Sequence, residues 1–201
     1  LPQAGGLADQ YQFWIAEARL ARGQLKPAAD AYGRLLEQFP ASPLRLEAAF
    51  GQAFALFRLE DTPAVVALLQ KPDGAFQLAA KDRAGHPLAV RGRMLLAESL
   101  HRQKEHAAAA RVLTELGNEK LPPELDWQRQ YLLALVELAA QRPTAALERT
   151  TNLFSLAAGA GNGGTQAWRA NLEGAAATDG YACLRLSAPL IVPWLQDVKL
   201  R

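Results

Sequence analysis

The chain has 201 residues and half of them are apolar, which is enough for one sizeable core or for a short array of repeats. Lysine and arginine (22) nearly balance aspartate and glutamate (20) and are spread singly along the chain, so we expect no nucleic-acid partner. The single cysteine, Cys183, excludes an intramolecular disulfide and a cysteine-based zinc site, and no apolar run approaches the roughly 18 residues of a membrane span.

The first predicted elements form a helix–turn–helix hairpin at residues 9–40. Apolar residues recur at helical spacing both before and after Gly23. Gly23 suits the end of the first helix, because a residue without a Cβ atom readily adopts a positive φ. Pro27 suits the first turn of the second helix, where a missing N–H costs nothing, and Pro40 ends that helix.

This hairpin resembles a tetratricopeptide repeat (TPR), a helix pair of about 34 residues with small side chains at its eighth and twentieth positions. With Asp9 as the first position, Ala16 and Ala28 fall on those two positions without a gap. Small side chains there allow the two helices to approach closely. The resemblance implies an all-α fold, a right-handed α-α superhelix or TPR-like solenoid.

Three further copies of the pattern follow, which gives about four helix pairs. In each of them a small residue again lies near the start of the second helix, at Ala64, Ala109 and Ala146. Glycine is replaced at the preceding turns by Leu59, Lys104 and Gln141, which leaves the bounds of these helices open. We place the helix pairs near residues 9–40, 45–72, 90–122 and 127–158.

The step between the second and third copies is longer than the other two, at 45 residues against 36 and 37. The surplus falls around the turn signal Asp73-Gly74. We therefore predict a short extra helix near residues 75–82. Thr62 or Asp61 is the expected N-cap of the preceding helix.

The repeat pattern fades at the C-terminal end of the chain. Pro189 and Pro193 argue against an unbroken helix there. We expect an irregular segment over residues 165–201 that covers the last exposed helix face, since the terminal units of a solenoid need capping. A docking segment, or the stump of a longer array, is the alternative. The chain is then a single TPR-like domain over residues 1–201.

Two features suggest chemistry but have simpler interpretations. Gly159, Gly161 and Gly164 form a literal G-x-G-x-x-G, but a helix and not a strand precedes them, so we interpret Gly159 as a helix stop and the rest as a flexible connection. His101 and His106 are five residues apart, which rotates them about 140° from each other on one helix and does not suit a metal-binding pair. We expect two solvent-facing histidines separated by the turn near Lys104, no metal, no cofactor and no catalytic residues.

The resemblance also implies a binding surface. In TPR proteins the second, fifth, ninth, twelfth and thirteenth positions of the first helices tend to line a concave groove. An apolar floor with scattered charges suits an extended peptide or an amphipathic helix. Most aromatic residues of these helices, Trp14 among them, are expected in the core. The groove candidates are Phe13, Glu17, Leu20, Leu46, Ala49, Leu56, Phe57, Arg91, Met94, Glu98, His101, Gln128, Tyr131 and Leu138.

The expected function is a non-catalytic interaction module that holds a partner protein or peptide in this groove. The alternatives are an oligomerisation scaffold and a regulatory segment of a larger signalling or transcription protein. The oligomeric state stays open.

The stretch "GQLKPAADAYGRLLEQFPASP" resembles the repeats of bacterial cell-envelope TPR proteins, namely the partner of the Tol–Pal system and the lipoprotein of the outer-membrane β-barrel assembly machine. This implies a periplasmic or cell-envelope location, with the cytoplasm as the alternative. The chain opens "LPQAGG" without a methionine, so we expect a trimmed or processed piece in which a signal peptide or lipid anchor would be missing.

Overall fold

The computed structural model describes residues 7–83 and 85–159. Within these ranges every regular secondary-structure element is helical, which confirms the predicted all-α, TPR-like fold class. Nine α-helices occur in the described part of the chain: α1 (Ala8–Ala21), α2 (Leu25–Gln38), α3 (Arg45–Arg58), α4 (Thr62–Gln70), α5 (Ala75–Asp82), α6 (Pro87–Arg102), α7 (His106–Leu116), α8 (Pro123–Ala139) and α9 (Pro143–Gly159).

The helices pack as hairpins, in which α1 packs against α2, α3 against α4, α6 against α7 and α8 against α9. The chain divides into two compact units with a boundary between Glu119 and Lys120. The first unit contains α1 to α7, and the second contains α8 and α9. A single domain over residues 1–201 stays a prediction. The segment 165–201, together with Gly161 and Gly164, lies outside the described residues.

The same turn joins the two helices of every pair. One residue per turn adopts a left-handed backbone conformation, with φ of 72° at Gly23, 63° at Glu60, 66° at Lys104 and 60° at Gln141. The following N–H donates to a carbonyl five residues earlier, as Gln24 does to Arg19 at 2.9 Å. This is the Schellman arrangement, which satisfies carbonyl groups at the end of a helix. The prediction for Gly23 is confirmed, and Pro27 lies in the first turn of α2 as predicted.

The second helix pair is shifted by one residue from its predicted register. Glu60, not Leu59, takes the left-handed conformation, and Val65, not Ala64, is the fully buried residue five positions later. The similarity of Pro63-Ala64 to Pro27-Ala28 was misleading, because burial follows the turn and not the proline. Val65 lies twelve residues after Ala53, which is also fully buried. Asp61 caps α4 by accepting a hydrogen bond from the Ala64 N–H at 3.1 Å.

The predicted extra helix is confirmed as α5, over Ala75–Asp82. This helix packs against α3 and α4. Its buried Phe76 lies against Gly92 of α6, where an added Cβ atom would overlap the Phe76 ring. Two ion pairs join the end of α5 to the start of α3, Arg45 with Asp82 and Glu47 with Arg83, both at 2.7 Å. The inserted helix α5 therefore lies beside the N-terminal end of α3.

The second unit has its own small core between α8 and α9. Tyr131, Ala134 and Leu153 are buried together, and Trp127 and Leu138 pack against them. The Trp127 and Tyr131 rings are stacked with their centroids 5.6 Å apart. The aromatic residues of α8 therefore serve packing, as predicted for most aromatic residues of the first helices.

Candidate functional site

The groove predicted from the sequence lies on the first helix of each pair. In the first unit these helices are α1, α3 and α6, and α3 contacts both α1 and α6. Neighbouring first helices are what the TPR resemblance requires for a continuous binding surface. Seven groove candidates in this unit are partly exposed: Phe13, Glu17, Leu56, Arg91, Met94, Glu98 and His101.

Other groove candidates in the first unit offer no accessible surface. Leu20, Leu46 and Phe57 are buried. The one-residue register shift explains why Leu46 is buried, because the corrected pattern places Glu47, and not Leu46, at the second position of that repeat. The corrected pattern moves Leu56 to the eleventh position, which is not a groove position. It also brings Phe50 and Phe54 to groove positions, but both are buried and their rings are stacked with their centroids 6.2 Å apart. In the described part of α3 these side chains serve the core, as does Ala49.

The part of the groove on α1 is anchored to α2. The Tyr32 hydroxyl donates a hydrogen bond to a Glu17 carboxylate oxygen, and the Phe13 ring meets the Tyr32 ring at a centroid distance of 6.1 Å. Tyr32 has no exposed surface. Burial and the hydrogen bond to Glu17 together raise the pKa of the Tyr32 hydroxyl. The Glu17 carboxylate is thus held in place by a rigid, buried donor.

A second polar cluster joins α3 to α6. The Arg102 guanidinium lies 4.0 Å from the centre of the Phe57 ring and donates a hydrogen bond to Glu98 at 3.0 Å. A cation over an aromatic face is attracted by the ring quadrupole. Burial raises the pKa of the Glu98 carboxyl, and Arg102 opposes this rise. Phe57 therefore positions Arg102, which in turn orients Glu98 beside the groove.

His101 and His106 lie together, and the prediction of two separated, solvent-facing histidines is wrong. Their ring centroids are 5.1 Å apart and both side chains are partly buried. The angle on a helical wheel applies only within one helix, whereas the left-handed Lys104 reverses the chain and brings the start of α7 beside the end of α6. The turn itself was the signal that could have revealed this pair.

The surroundings of His101 disfavour a positive charge on its ring. Burial lowers the pKa of His101, and His106 and Arg102 lower it further. Each ring of the pair has a buried Nδ1 atom without a hydrogen-bond partner among the described residues. In that part of the chain no group of three or more histidine, cysteine, aspartate or glutamate side chains could hold a metal ion.

The groove candidates of the second unit lie on α8. Gln128 and Leu138 are partly exposed, whereas Tyr131 is buried in the core against Trp127. A neighbouring ion pair links Glu137 to Arg142 across the turn at 2.7 Å.

Trp14 is the most exposed large apolar side chain among the described residues of the first unit. It was expected in the core, but 65% of its surface is exposed, and Tyr11 and Ile15 are exposed beside it. The helical spacing of these residues is that of a core stripe, so the spacing alone does not distinguish this exposed face from a buried one.

Comparison with known proteins addresses the repeat directly. Residues 10–42, which cover most of α1, all of α2 and the turn that follows, match the family model described as tetratricopeptide repeat. No curated protein and no solved structure compared with the chain gives a significant match. None of these comparisons supports either cell-envelope group. Among the described residues no helix is long and apolar enough to cross a membrane. The family match and the recurring hairpins support a tetratricopeptide repeat protein.

Proposed function

We propose that the chain is a protein–protein interaction module that holds a partner peptide or helix in the groove of α1, α3 and α6. The repeat match at residues 10–42 favours a protein partner, and proteins built from this repeat are generally non-catalytic. The observation that carries the proposal is the run of partly exposed side chains on three first helices in contact. On α1 and α6 these side chains occupy groove positions of the repeat, whereas on α3 the corrected register leaves Glu47 and Arg58 as the accessible groove residues.

The chemistry of this surface suits a partner that buries apolar side chains. Phe13 and Met94 provide partly exposed apolar area on α1 and α6 respectively. Glu17 and Glu98 are each held by a hydrogen bond within the protein, so their carboxylates are positioned before a partner arrives. Because ordered groups lose less conformational entropy on association, this arrangement favours specific binding.

The experiment compares capture of partners by the wild-type chain and by Met94→Lys. The Met94 side chain is partly exposed, so a lysine there adds charge to the groove without entering the core. Phe57 and Tyr131 are unsuitable targets, since both are buried and their replacement would unfold the chain. Extract from the source cells is passed over each immobilised protein, and the retained proteins are quantified by mass spectrometry.

We expect a protein retained by the wild-type chain to be lost with the groove variant and kept with Leu78→Lys. Leu78 is an exposed leucine of α5, which makes it a matched control outside the groove. Circular dichroism must show equal helicity in all three proteins. Equal capture by the groove variant would show that binding takes place elsewhere.

We further propose a bacterial cell-envelope location, supported only by the resemblance of residues 23–43 to envelope repeats. The test is fractionation of the source cells by osmotic shock, followed by antibody detection. Release with the periplasmic proteins is the expected result, and recovery with the cytoplasmic proteins would contradict it.

A further inference from the structure

A row of large apolar side chains is exposed along one side of α1. The exposed fractions are 48% for Leu7, 52% for Tyr11, 65% for Trp14 and 41% for Ile15. Spacings of three and four residues place such side chains on a single helix face. We call this row, together with the exposed Ala18, the α1 outer face. It adjoins the groove, because the Trp14 ring meets the ring of the groove residue Phe13 edge-on with the centroids 5.7 Å apart.

The equivalent face of α3 is covered by a helix. In the corrected repeat register, each residue of the α1 outer face corresponds to the residue 37 positions later, so Trp14 corresponds to Gly51. Ala48, Gly51 and Ala55 on that face of α3 are buried. The Tyr32 ring of α2 lies against Gly51, where an added Cβ atom would be only 2.6 Å from the ring.

The equivalent face of α6 is buried as well. Its Gly92 lies against Phe76 of α5, and Leu95, Leu96 and Ser99 on the same face are buried. In this unit, therefore, a preceding helix covers this face on α3 and on α6. Only on α1 is the face exposed, although α1 carries the largest apolar side chains of the three helices there.

The packing inside the molecule also indicates the shape of an occupant. On α3 a glycine receives an aromatic ring, whereas α1 presents the Trp14 ring itself at the same position. An occupant of the α1 outer face must therefore offer small side chains opposite Trp14 and apolar ones at either side. The exposed Arg22, just beyond the end of α1, favours an antiparallel helix with acidic residues in its first turn.

We propose that the α1 outer face binds an amphipathic α-helix of a partner protein, in the manner in which α2 packs on α3. The face is a single helix stripe, much smaller than the roughly 800 Å² per partner of a standard stable interface. The interaction is consequently weak and reversible when this helix binds alone. This surface lies beside the groove of the proposed function and is lined by different residues.

The probe is a synthetic amphipathic helix of about 18 residues, long enough to span α1. It carries alanine opposite Trp14, leucine at the flanking stripe positions, glutamate in the first turn and lysine in the last. A fluorescent label reports its binding to the full chain by anisotropy. We expect saturable binding by the wild-type chain and an affinity about tenfold lower for Trp14→Glu, as is usual for loss of a central aromatic anchor.

Two variants control for unfolding and for binding elsewhere. Leu78→Glu adds the same charge on α5, and Met94→Lys alters the groove on α6. Both must retain the wild-type affinity for the probe. If Trp14→Glu loses helicity, the milder Tyr11→Gln replaces it, because Tyr11 is half exposed and its loss removes only apolar area.

Four results would overturn the proposal. The first is absence of saturable binding by the wild-type chain, and the second is equal binding by the α1 variants. The third is loss of binding with Met94→Lys, which would place the probe in the groove and favour the proposed function over this one. Sedimentation of the unliganded chain adds the fourth: a dimer abolished by Trp14→Glu would show that a second copy covers the α1 outer face.

Discussion

At the scale of single residues, two close approaches hold the first unit together. Gly51 lies against the buried Tyr32 ring and Gly92 lies against the buried Phe76 ring. In both cases a helix passes so near an aromatic ring that no Cβ atom fits between them. The sequence pattern predicts small residues between paired helices at Ala16 and Ala28, but it says nothing of these two glycines, because the rings that meet them come from other helices.

We expect Gly92→Ala to destabilise the protein even though alanine is the better helix former. The new Cβ would overlap the Phe76 ring, and forcing extra volume into a packed core costs about 1–3 kcal/mol. Gly33→Ala is the matched control, because its Cβ would meet only the flexible amide end of Gln52. Urea unfolding of both variants tests this difference, and a Gly92→Ala protein as stable as Gly33→Ala would contradict it.

Because of the surroundings of His101, we expect the stability of the protein to depend on pH. Its pKa is lowered by burial, His106 and Arg102, so below about pH 6.5, the ordinary value, the unfolded chain binds more protons than the folded chain. The part of the unfolding free energy that depends on His101 is therefore at its full value above that pH, and it decreases as the pH falls below it. We expect His101→Gln to reduce this slope in urea titrations between about pH 5 and pH 8.

One other histidine contributes a slope of the same sign. Burial and Arg83 lower the pKa of His86, whose ring accepts a hydrogen bond from the Leu88 N–H at 3.2 Å at the start of α6. The His101→Gln protein should therefore keep part of the pH dependence. An unchanged slope would mean that the ring of His101 titrates alike in the folded and unfolded chains.

At the scale of helices and turns, the left-handed residue defines each pair. Gly23 could be recognised directly, and the repeat spacing correctly placed Lys104 and Gln141 at the equivalent turns, whereas Glu60 was missed by one residue because nothing in its side chain marks a positive φ. The contact of His101 with His106 was missed although the turn near Lys104 was predicted, because that turn brings the two helix ends together and does not separate them. Helix α5 was predictable because an insertion changes the repeat spacing even when its contacts are unknown.

We expect Glu60→Gly and Gly23→Ala to change stability in opposite directions. A left-handed conformation costs a residue with a Cβ atom about 1–2 kcal/mol, and glycine avoids this cost at the expense of some chain entropy. Glu60 is exposed, and a Cβ atom at Gly23 would meet nothing within 4 Å, so backbone strain dominates at both positions. The melting temperature should be highest for Glu60→Gly, intermediate for the wild type and lowest for Gly23→Ala. The reverse order would contradict the turn geometry.

At the scale of the whole molecule, the described part of the first unit presents two different surfaces on α1. The groove side carries Phe13 and Glu17, whereas the outer face carries Tyr11, Trp14 and Ile15. The groove could be proposed from the sequence, since its positions follow from the repeat register. The outer face could not, because an exposed helix face has the same apolar spacing as a buried one.

We therefore expect the two surfaces to bind independently. Met94→Lys should lose the captured partner but keep the amphipathic probe, whereas Trp14→Glu should lose the probe but keep the partner. Met94 lies on α6 and Trp14 on α1, two helices that each contact α3, so the effects of the two changes on binding free energy should add within about 0.5 kcal/mol in the combined variant. Anisotropy titrations of the probe, in the presence and absence of saturating partner, measure whether the two interactions are independent. If either change abolishes both interactions in proteins of unchanged helicity, α1 presents one continuous site and not two.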